Sequence, residues 1–442
     1  MTFNKLKSKN AKNAGWIIGE QIFQMLISFL LGIVTARYLG PSNYGALNYT
    51  ASFIAFATTI ATLGMDGVVI RKIISSPDKE GLYLGSCIVF RIISAILSSI
   101  SILILVYILN IDENVKLWLT ALQSIQLIFQ AGYLFDVWFQ RHLQSRFVSI
   151  AKIIACIVVS LYKIYLLATS KDIVWFAFSN SLTYIIVSII LYITYKKAGG
   201  QKLKFSYKVG KEVLSESYHF IISGIMVGIY AQISKIITGE FCSDSDLGCF
   251  VMASMLGSMW VFVPNAIITS MRPTIMEYKE RKQEDLYMKR LQQLYSFVIW
   301  LSILAAIVIG LGANFIINTL YGEDYSGAIL LLKILIWSEL FSLIGVIRGI
   351  WILCEKKNKY VKYYLAIGAL FNITMNLLLV PIFGITATCI VTVLTQIVTS
   401  TISPLFFKET RIHTKIVLDS FLLKWYFNKN YLTINNTTNI NK

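Results

Sequence analysis

Long apolar runs separated by short polar clusters recur along the chain from residue 14 to residue 404. A helix needs roughly 20 apolar residues to cross about 30 Å of hydrocarbon. Twelve runs qualify: 14–38, 47–69, 82–109, 116–139, 148–168, 173–195, 213–238, 247–270, 290–314, 326–353, 360–381 and 384–404. The pattern therefore predicts an all-α polytopic membrane protein. The first run is too long for a signal-peptide core and lacks a small-residue cleavage site, so it is expected to remain as a span.

Polar residues inside the runs fall on helical faces. At 100° per residue, Ser52, Thr59, Thr62 and Asp66 share an arc of roughly 80°. Cys87, Arg91, Ser94, Ser98 and Ser101 align in the third run. Glu20, Gln24, Ser28 and Thr35 align in the first, and Thr388, Thr392, Gln396 and Thr399 in the twelfth. A single stripe of this kind reads first as helix–helix glue, since Ser and Thr allow close approach and hydrogen-bond across an interface. Four stripes, three of them on consecutive helices, fit the walls of a shared hydrated cavity better.

Charges within the runs sharpen that reading. Arg91, Lys163, Lys333, Glu339 and Arg348 sit well inside apolar runs, and each basic one costs about 2.5 to 3.5 kcal/mol if it faces lipid at mid-depth. Arg37, Asp66, Asp136 and Lys235 lie nearer the ends and can partly snorkel. Glu339 projects away from both Lys333 and Arg348 on its helix, so it needs a partner from another helix or a proton. Six bases (Arg37, Arg91, Lys163, Lys235, Lys333, Arg348) face four acids (Glu20, Asp66, Asp136, Glu339). That surplus suits an anionic substrate. The expected substrate-binding set is Arg91, Lys163, Lys235, Lys333 and Arg348, with the four acids as coupling or charge-pair candidates.

Composition agrees: 56% of the 442 residues are hydrophobic and 14% charged, with mean hydropathy +0.66, against about 25% charged in soluble domains. With the N-terminus inside, 32 basic residues fall in inner segments and two, Lys116 and Lys171, in outer ones. This is the positive-inside asymmetry, and it places both termini in the cytoplasm. The formal charge of +17 is thus a topology signal and an attraction to anionic inner-leaflet lipid. It does not indicate nucleic acid, because no basic patch falls in a soluble domain.

Mid-chain, the basic Gly-Gly segment 196–212 has six runs on either side, which predicts two six-helix lobes around a central cavity. The expected parts are a cytoplasmic N-terminus at 1–13, an N-lobe at 14–195, the linker, a C-lobe at 213–404 and a cytoplasmic tail at 405–442. Tyr44-Gly45-Ala46-Leu47 before the second run and Leu247-Gly248-Cys249-Phe250 before the eighth hint at a parallel repeat. In the tail, an interfacial segment is expected around Phe421 to Phe427, with disorder beyond. Gly224 and Gly228 carry small-xxx-small spacing on the face of Lys235, suited either to static packing or to helices that close and part.

Chemical machinery is not apparent. His142, His219 and His413 are far apart, no Gly-rich loop ends in Lys-Ser/Thr, and neither a metal site, a cofactor nor enzymatic activity is expected. Cys242 and Cys249 flank an outer loop, where two free thiols are favoured over a disulfide.

Several short motifs together resemble a known family. Residues 13–74, with Ala36-Arg37-Tyr38-Leu39-Gly40-Pro41, Tyr44-Gly45 and Thr62-Leu63-Gly64-Met65-Asp66-Gly67, are similar to the opening of Wzx-type O-antigen and polysaccharide flippases. Those belong to the multidrug/oligosaccharidyl-lipid/polysaccharide exporter superfamily. Tyr83-Leu84-Gly85-Ser86 with Arg91, Trp138-Phe139-Gln140, Lys163-Ile164, Leu247-Gly248, Pro264 and Arg272-Pro273 extend the resemblance over roughly 13–405. It implies a cationic cavity alternately open to either side of the bacterial inner membrane, moving undecaprenyl-pyrophosphate-linked sugar repeat units outward. A polysaccharide polymerase and a chain-length regulator are then candidate protein partners, beside membrane lipid. One departure is Ser234-Lys235, where many relatives carry Asp-Lys, which puts ion coupling there in doubt. Competing readings are a peptidoglycan-precursor or other lipid-linked glycan flippase, a multidrug antiporter, for which acidic residues would be expected, and a membrane glycan polymerase or glycosyltransferase, for which the outer loops are short.

Overall fold

A computed structural model describes residues 2–111 and 113–423, with side chains from residue 15 onward. The expected tail segment beyond Leu423 and the acid Asp112 lie outside the described residues. The described chain is helical, with no strand. Its helices are α1 (Thr2–Ala61), α2 (Asp66–Ser75), α3 (Glu80–Leu109), α4 (Asn114–Gln130), α5 (Leu134–Arg141), α6 (Ser145–Ala168) and α7 (Ile173–Lys197). They continue as α8 (Tyr207–Phe241), α9 (Asp244–Met259), α10 (Phe262–Glu280), α11 (Glu284–Leu320), α12 (Ala328–Cys354), α13 (Val361–Ile397) and α14 (Arg411–Phe421).

Eight stretches among the described residues are long and apolar enough to cross a membrane, or nine with the bent α9–α10 pair. Two of them are too long for one crossing. Gly15–Ser75 has 61 residues, about 90 Å as a straight helix, three times the hydrocarbon thickness. Its break is at Gly40, with φ 71°, followed by Pro41. Glycine reaches that left-handed conformation without a Cβ clash, and proline then starts the next helix with φ preset. Asn358–Phe406 has 49 residues and turns at Gly384, with φ 60°. The run 114–141 is divided into α4, a 3-10 turn (Ala131–Tyr133) and α5. These divisions bring the number of passes to about twelve, in register with the apolar runs.

The chain forms two compact units, Met1–Gln232 and Ile233–Lys442. The division falls inside α8 and not at the segment 196–212, because that segment is packed onto unit 1. Lys204 N donates to Gly81 O at 3.1 Å, Gln201 Nε2 to Pro77 O at 2.8 Å and Ser206 N to Ser86 Oγ at 2.9 Å. Gly81 and Gly85 make room for it: a Cβ at either would lie 2.4 Å from the carbonyl oxygen of Lys202 or Lys204. The basic linker is thus a strap that delivers α8 to unit 1. There Gly228 abuts Thr59, where a Cβ would come within 2.8 Å of Thr59 Cγ2. Arg71 pairs with Glu216, and Lys72 with Glu212 and Glu216, tying α2 to the same half of α8.

Unit 1 is held by a core that includes Val69, Leu84, Leu134, Phe139 and Val187. Unit 2 has its own, including Leu291, Val298, Leu343 and Ile347. Large side chains such as Leu97, Trp118, Leu161, Leu311 and Phe315 remain exposed on the outer helix faces. Apolar outer surfaces of this extent fit contact with hydrocarbon.

Candidate functional site: a polar cavity in unit 1

Two helix breaks build the site. After Ala61 the chain passes through Leu63 (φ 52°) and Gly64 (φ 54°) before α2 begins at Asp66. A Cβ at Gly64 would sit 2.8 Å from that of Phe220, so this turn also seats α8. The second break is the turn Ala131–Tyr133, after which α5 starts with Asp136 in its first turn. A helix N-terminus carries partial positive charge. Each helix start therefore offers a favourable place for a carboxylate. α2 and α5 pack together, which brings the two acids to one place.

Between them lies a cavity of about 340 Å³. Thr62, Asp66, Gly67 and Ile70 line one side, Arg91 of α3 another, and Gln130, Tyr133, Asp136, Val137 and Gln140 the rest. Arg91 is 2% exposed, and its Nη2 meets Asp66 Oδ1 at 3.0 Å. Its Nε has no hydrogen-bond partner, and neither has Gln130 Oε1, although both atoms are buried. Behind the cavity the buried Glu20 lies 4.0 Å from Lys152 Nζ on α6. Gln24 Nε2 reaches the Lys152 carbonyl at 3.4 Å.

The structure gathers some of the residues expected from sequence and leaves others apart. Arg91, Asp66 and Asp136 meet at the cavity, with Glu20 close behind and within electrostatic reach of Asp136. Lys163 is half-buried elsewhere on α6. Lys235, Lys333, Glu339 and Arg348 belong to unit 2, with Lys333 exposed and Lys235 and Glu339 half-buried. The lining hence contains two acids and one base, the reverse of the basic surplus counted over all spans. The basic surplus is a sum over all spans, whereas the helix breaks concentrate acids at this one place. Gln130 and Tyr133 were not singled out from sequence, since their role depends on a turn interrupting an otherwise continuous apolar run.

Unit 2 treats its polar groups differently. Arg348 is 8% exposed. It donates to the Thr399 carbonyl, in the π-helical stretch Val398–Ile402, and lies 4.7 Å from the centre of the Tyr364 ring. A π-helix displaces carbonyls from the regular ladder, which gives a buried guanidinium an acceptor. Nearby, α14 inserts His413 fully into the unit, where Nε2 and Tyr295 Oη share a hydrogen bond of 2.7 Å. Burial, and next to it the Arg348 charge, hold this imidazole well below its ordinary pKa. A third cluster joins Asn372 Nδ2 to Thr395 Oγ1 (3.0 Å), Ser234 Oγ to Asn372 Oδ1 (3.0 Å), Asn376 Nδ2 to Asn372 Oδ1 (3.0 Å) and Thr238 to Thr388 (2.9 Å). Ser234 is therefore a member of a neutral amide and hydroxyl network. Cys242 and Cys249 are free thiols, like the other four cysteines.

The stripes read from sequence divide the same way. Thr62 and Asp66 line the cavity, while Ser94 Oγ donates to Ile60 O at 3.3 Å as interhelical glue.

Comparison with known proteins places this geometry in a family. The chain is 23% identical over 426 residues to an uncharacterized membrane protein of Methanocaldococcus jannaschii, covering 88% of this chain and 82% of that one. Among solved structures it is similar to the lipid II flippase MurJ in an inward closed conformation, with TM-score 0.69, 15% identity and coverage of 97% of this chain and 96% of the other. It is also similar to an inward-facing multidrug resistance MATE family transporter of the MOP superfamily, with TM-score 0.66, 12% identity and coverage of 89% and 96%. At such identities these likenesses concern the fold. The family described as polysaccharide biosynthesis protein matches residues 10–279, more than half of the sequence, and the chain belongs to that family.

Proposed function

We propose that this protein is a flippase that carries lipid-linked oligosaccharide repeat units, such as those of O-antigen, capsule or exopolysaccharide, outward across the bacterial inner membrane by alternating access, with both termini cytoplasmic. The observation that carries the reading is the polar cavity at Arg91, Asp66 and Asp136, enclosed by helices whose outer faces are apolar, in a chain of the polysaccharide biosynthesis family. A sugar head group cannot enter hydrocarbon without losing hydrogen bonds to water, at several kcal/mol for each unpaired group (about 2–7). Carboxylates, amides, a phenol and a guanidinium in a cavity replace those bonds, while a polyprenyl tail of the undecaprenyl-pyrophosphate kind stays in the bilayer. The chain's task on this reading is physical: no bond is made or broken.

Reconstitution tests it. Proteoliposomes containing the purified protein and a fluorescent undecaprenyl-pyrophosphate-linked oligosaccharide should expose the inner-leaflet half of the label to an external membrane-impermeant quencher faster than protein-free vesicles. Equal rates would overturn the reading.

A second reading, export of cationic drugs, draws on one specific observation, the two acids against one base in the cavity lining. Membership of the polysaccharide biosynthesis family weighs against it. Raised resistance to lipophilic cations on expression, with no effect on glycan-lipid flipping, would favour it.

A further inference from the structure

We infer that the unit 1 cavity receives the sugar part of the carried lipid, as rings bearing hydroxyl, acetamido or amino groups, and disfavours both its diphosphate and acidic sugars. The inference rests on the flippase reading and specifies what its cavity selects.

Three observations carry it. The first is charge: Asp66 and Asp136 face one cation, Arg91, whose Nη2 is already engaged with Asp66 at 3.0 Å. An anion entering here would meet a guanidinium shared with a carboxylate and a second carboxylate opposite. The second is hydrogen-bond polarity. Carboxylate oxygens and the buried Gln130 Oε1 only accept, and that amide oxygen has no donor in the folded protein. A diphosphate or sugar carboxylate also only accepts and would leave Gln130 Oε1 orphaned, at a desolvation cost. A hydroxyl both donates and accepts, so one ring can donate to Gln130 and Asp136 while accepting from Arg91, whose Nε and Nη2 both lack a hydrogen-bond partner. The third is size and shape. About 340 Å³ is at the lower end of small-molecule sites, about 300–1,000 Å³, and holds about one or two sugar rings. Tyr133 also lines the cavity.

Full-length protein in lipid nanodiscs provides the test by isothermal titration calorimetry. The probes are an N-acetylhexosamine disaccharide, a glucosamine disaccharide, a glucuronate disaccharide and inorganic pyrophosphate. The first two should bind wild type at least about tenfold more tightly than the last two. Asp136→Asn should weaken them by about tenfold or more, the worth of one charge-assisted hydrogen bond, without a matching fall in melting temperature. Asp136→Lys should invert the order. Tighter binding of glucuronate or pyrophosphate by wild type, absence of all binding, or an Asp136→Asn variant with unchanged affinities would each overturn the inference. The proteoliposome assay separates this from the broader reading: wild type that flips the lipid-linked glycan but fails the titration loses only the sugar site, and wild type that does not flip it loses both.

Discussion

Unit 1 and unit 2 are built from the same material, apolar helices with a few polar residues at helical spacing, yet they use those residues in opposite ways. In unit 1 two helix breaks open a cavity, and ionisable groups line it with buried polar atoms left unpartnered. In unit 2 the comparable groups mainly meet one another, with Arg348 against a π-helical carbonyl and Asn372, Asn376, Ser234 and Thr395 joined together, although single buried atoms such as Asn376 Oδ1 lack a hydrogen-bond partner there too. An intramembrane charge therefore does not by itself mark a ligand site. Partners decide: a group whose hydrogen bonds are met inside the fold stabilises the fold, and one left with spare capacity beside a cavity is free to meet a ligand.

The largest expected effect breaks the comparison at its sharpest point. Arg348→Ala removes a charge-assisted hydrogen bond and a ring contact from a buried site, and should cost about 2–5 kcal/mol of stability. Thermal unfolding in detergent and membrane abundance would show it, and a variant as stable as wild type would return Arg348 to the transport residues. Arg91→Ala should behave in the opposite sense. Its partner Asp66 has a side chain 58% exposed, so the acid left behind can hydrate. Abundance should hold, while flipping at matched abundance falls about tenfold or more. Loss of protein in place of loss of flipping would make the two arginines equivalent.

A smaller effect reads the interior of unit 2 through pH. His413 is held neutral by burial and by Arg348, whereas the unfolded chain takes up a proton below about pH 6.5. The unfolded state thus binds the extra proton as pH falls, and stability drops from pH 7 to pH 5. Above about pH 7 the group contributes no slope. Melting temperatures at pH 5 and 7.5 should diverge for wild type and converge for His413→Gln; equal divergence in both would place the sensitivity elsewhere.

The smallest expected effect is at Cys242 and Cys249. Both are free thiols, and replacing both with Ser should leave flipping unchanged and stability within about 1 kcal/mol. A substantial loss of flipping would reveal a role for that loop that neither unit's polar groups suggest.

The sequence alone determined the class of the protein, because crossing hydrocarbon imposes a length and composition that few other folds share. The apolar runs fall in register with the helices, and the glycines at 40 and 384 divide the two overlong stretches. It also brought Arg91, Asp66 and Asp136 forward, since charges in apolar runs stand out. Tertiary structure decided which charges meet. Helical phase places a residue on a face, but not the neighbour opposite that face, so Arg91 and Arg348 read alike in sequence although one lies beside a cavity and the other against a π-helical carbonyl. The sign of the cavity was hidden for the same reason. Electrostatic energy depends on separation over a few ångströms, and a count along the chain carries no separations. Even the basic segment 196–212, free by composition, becomes a strap only because Gly81 and Gly85 leave backbone bare for it to lie against.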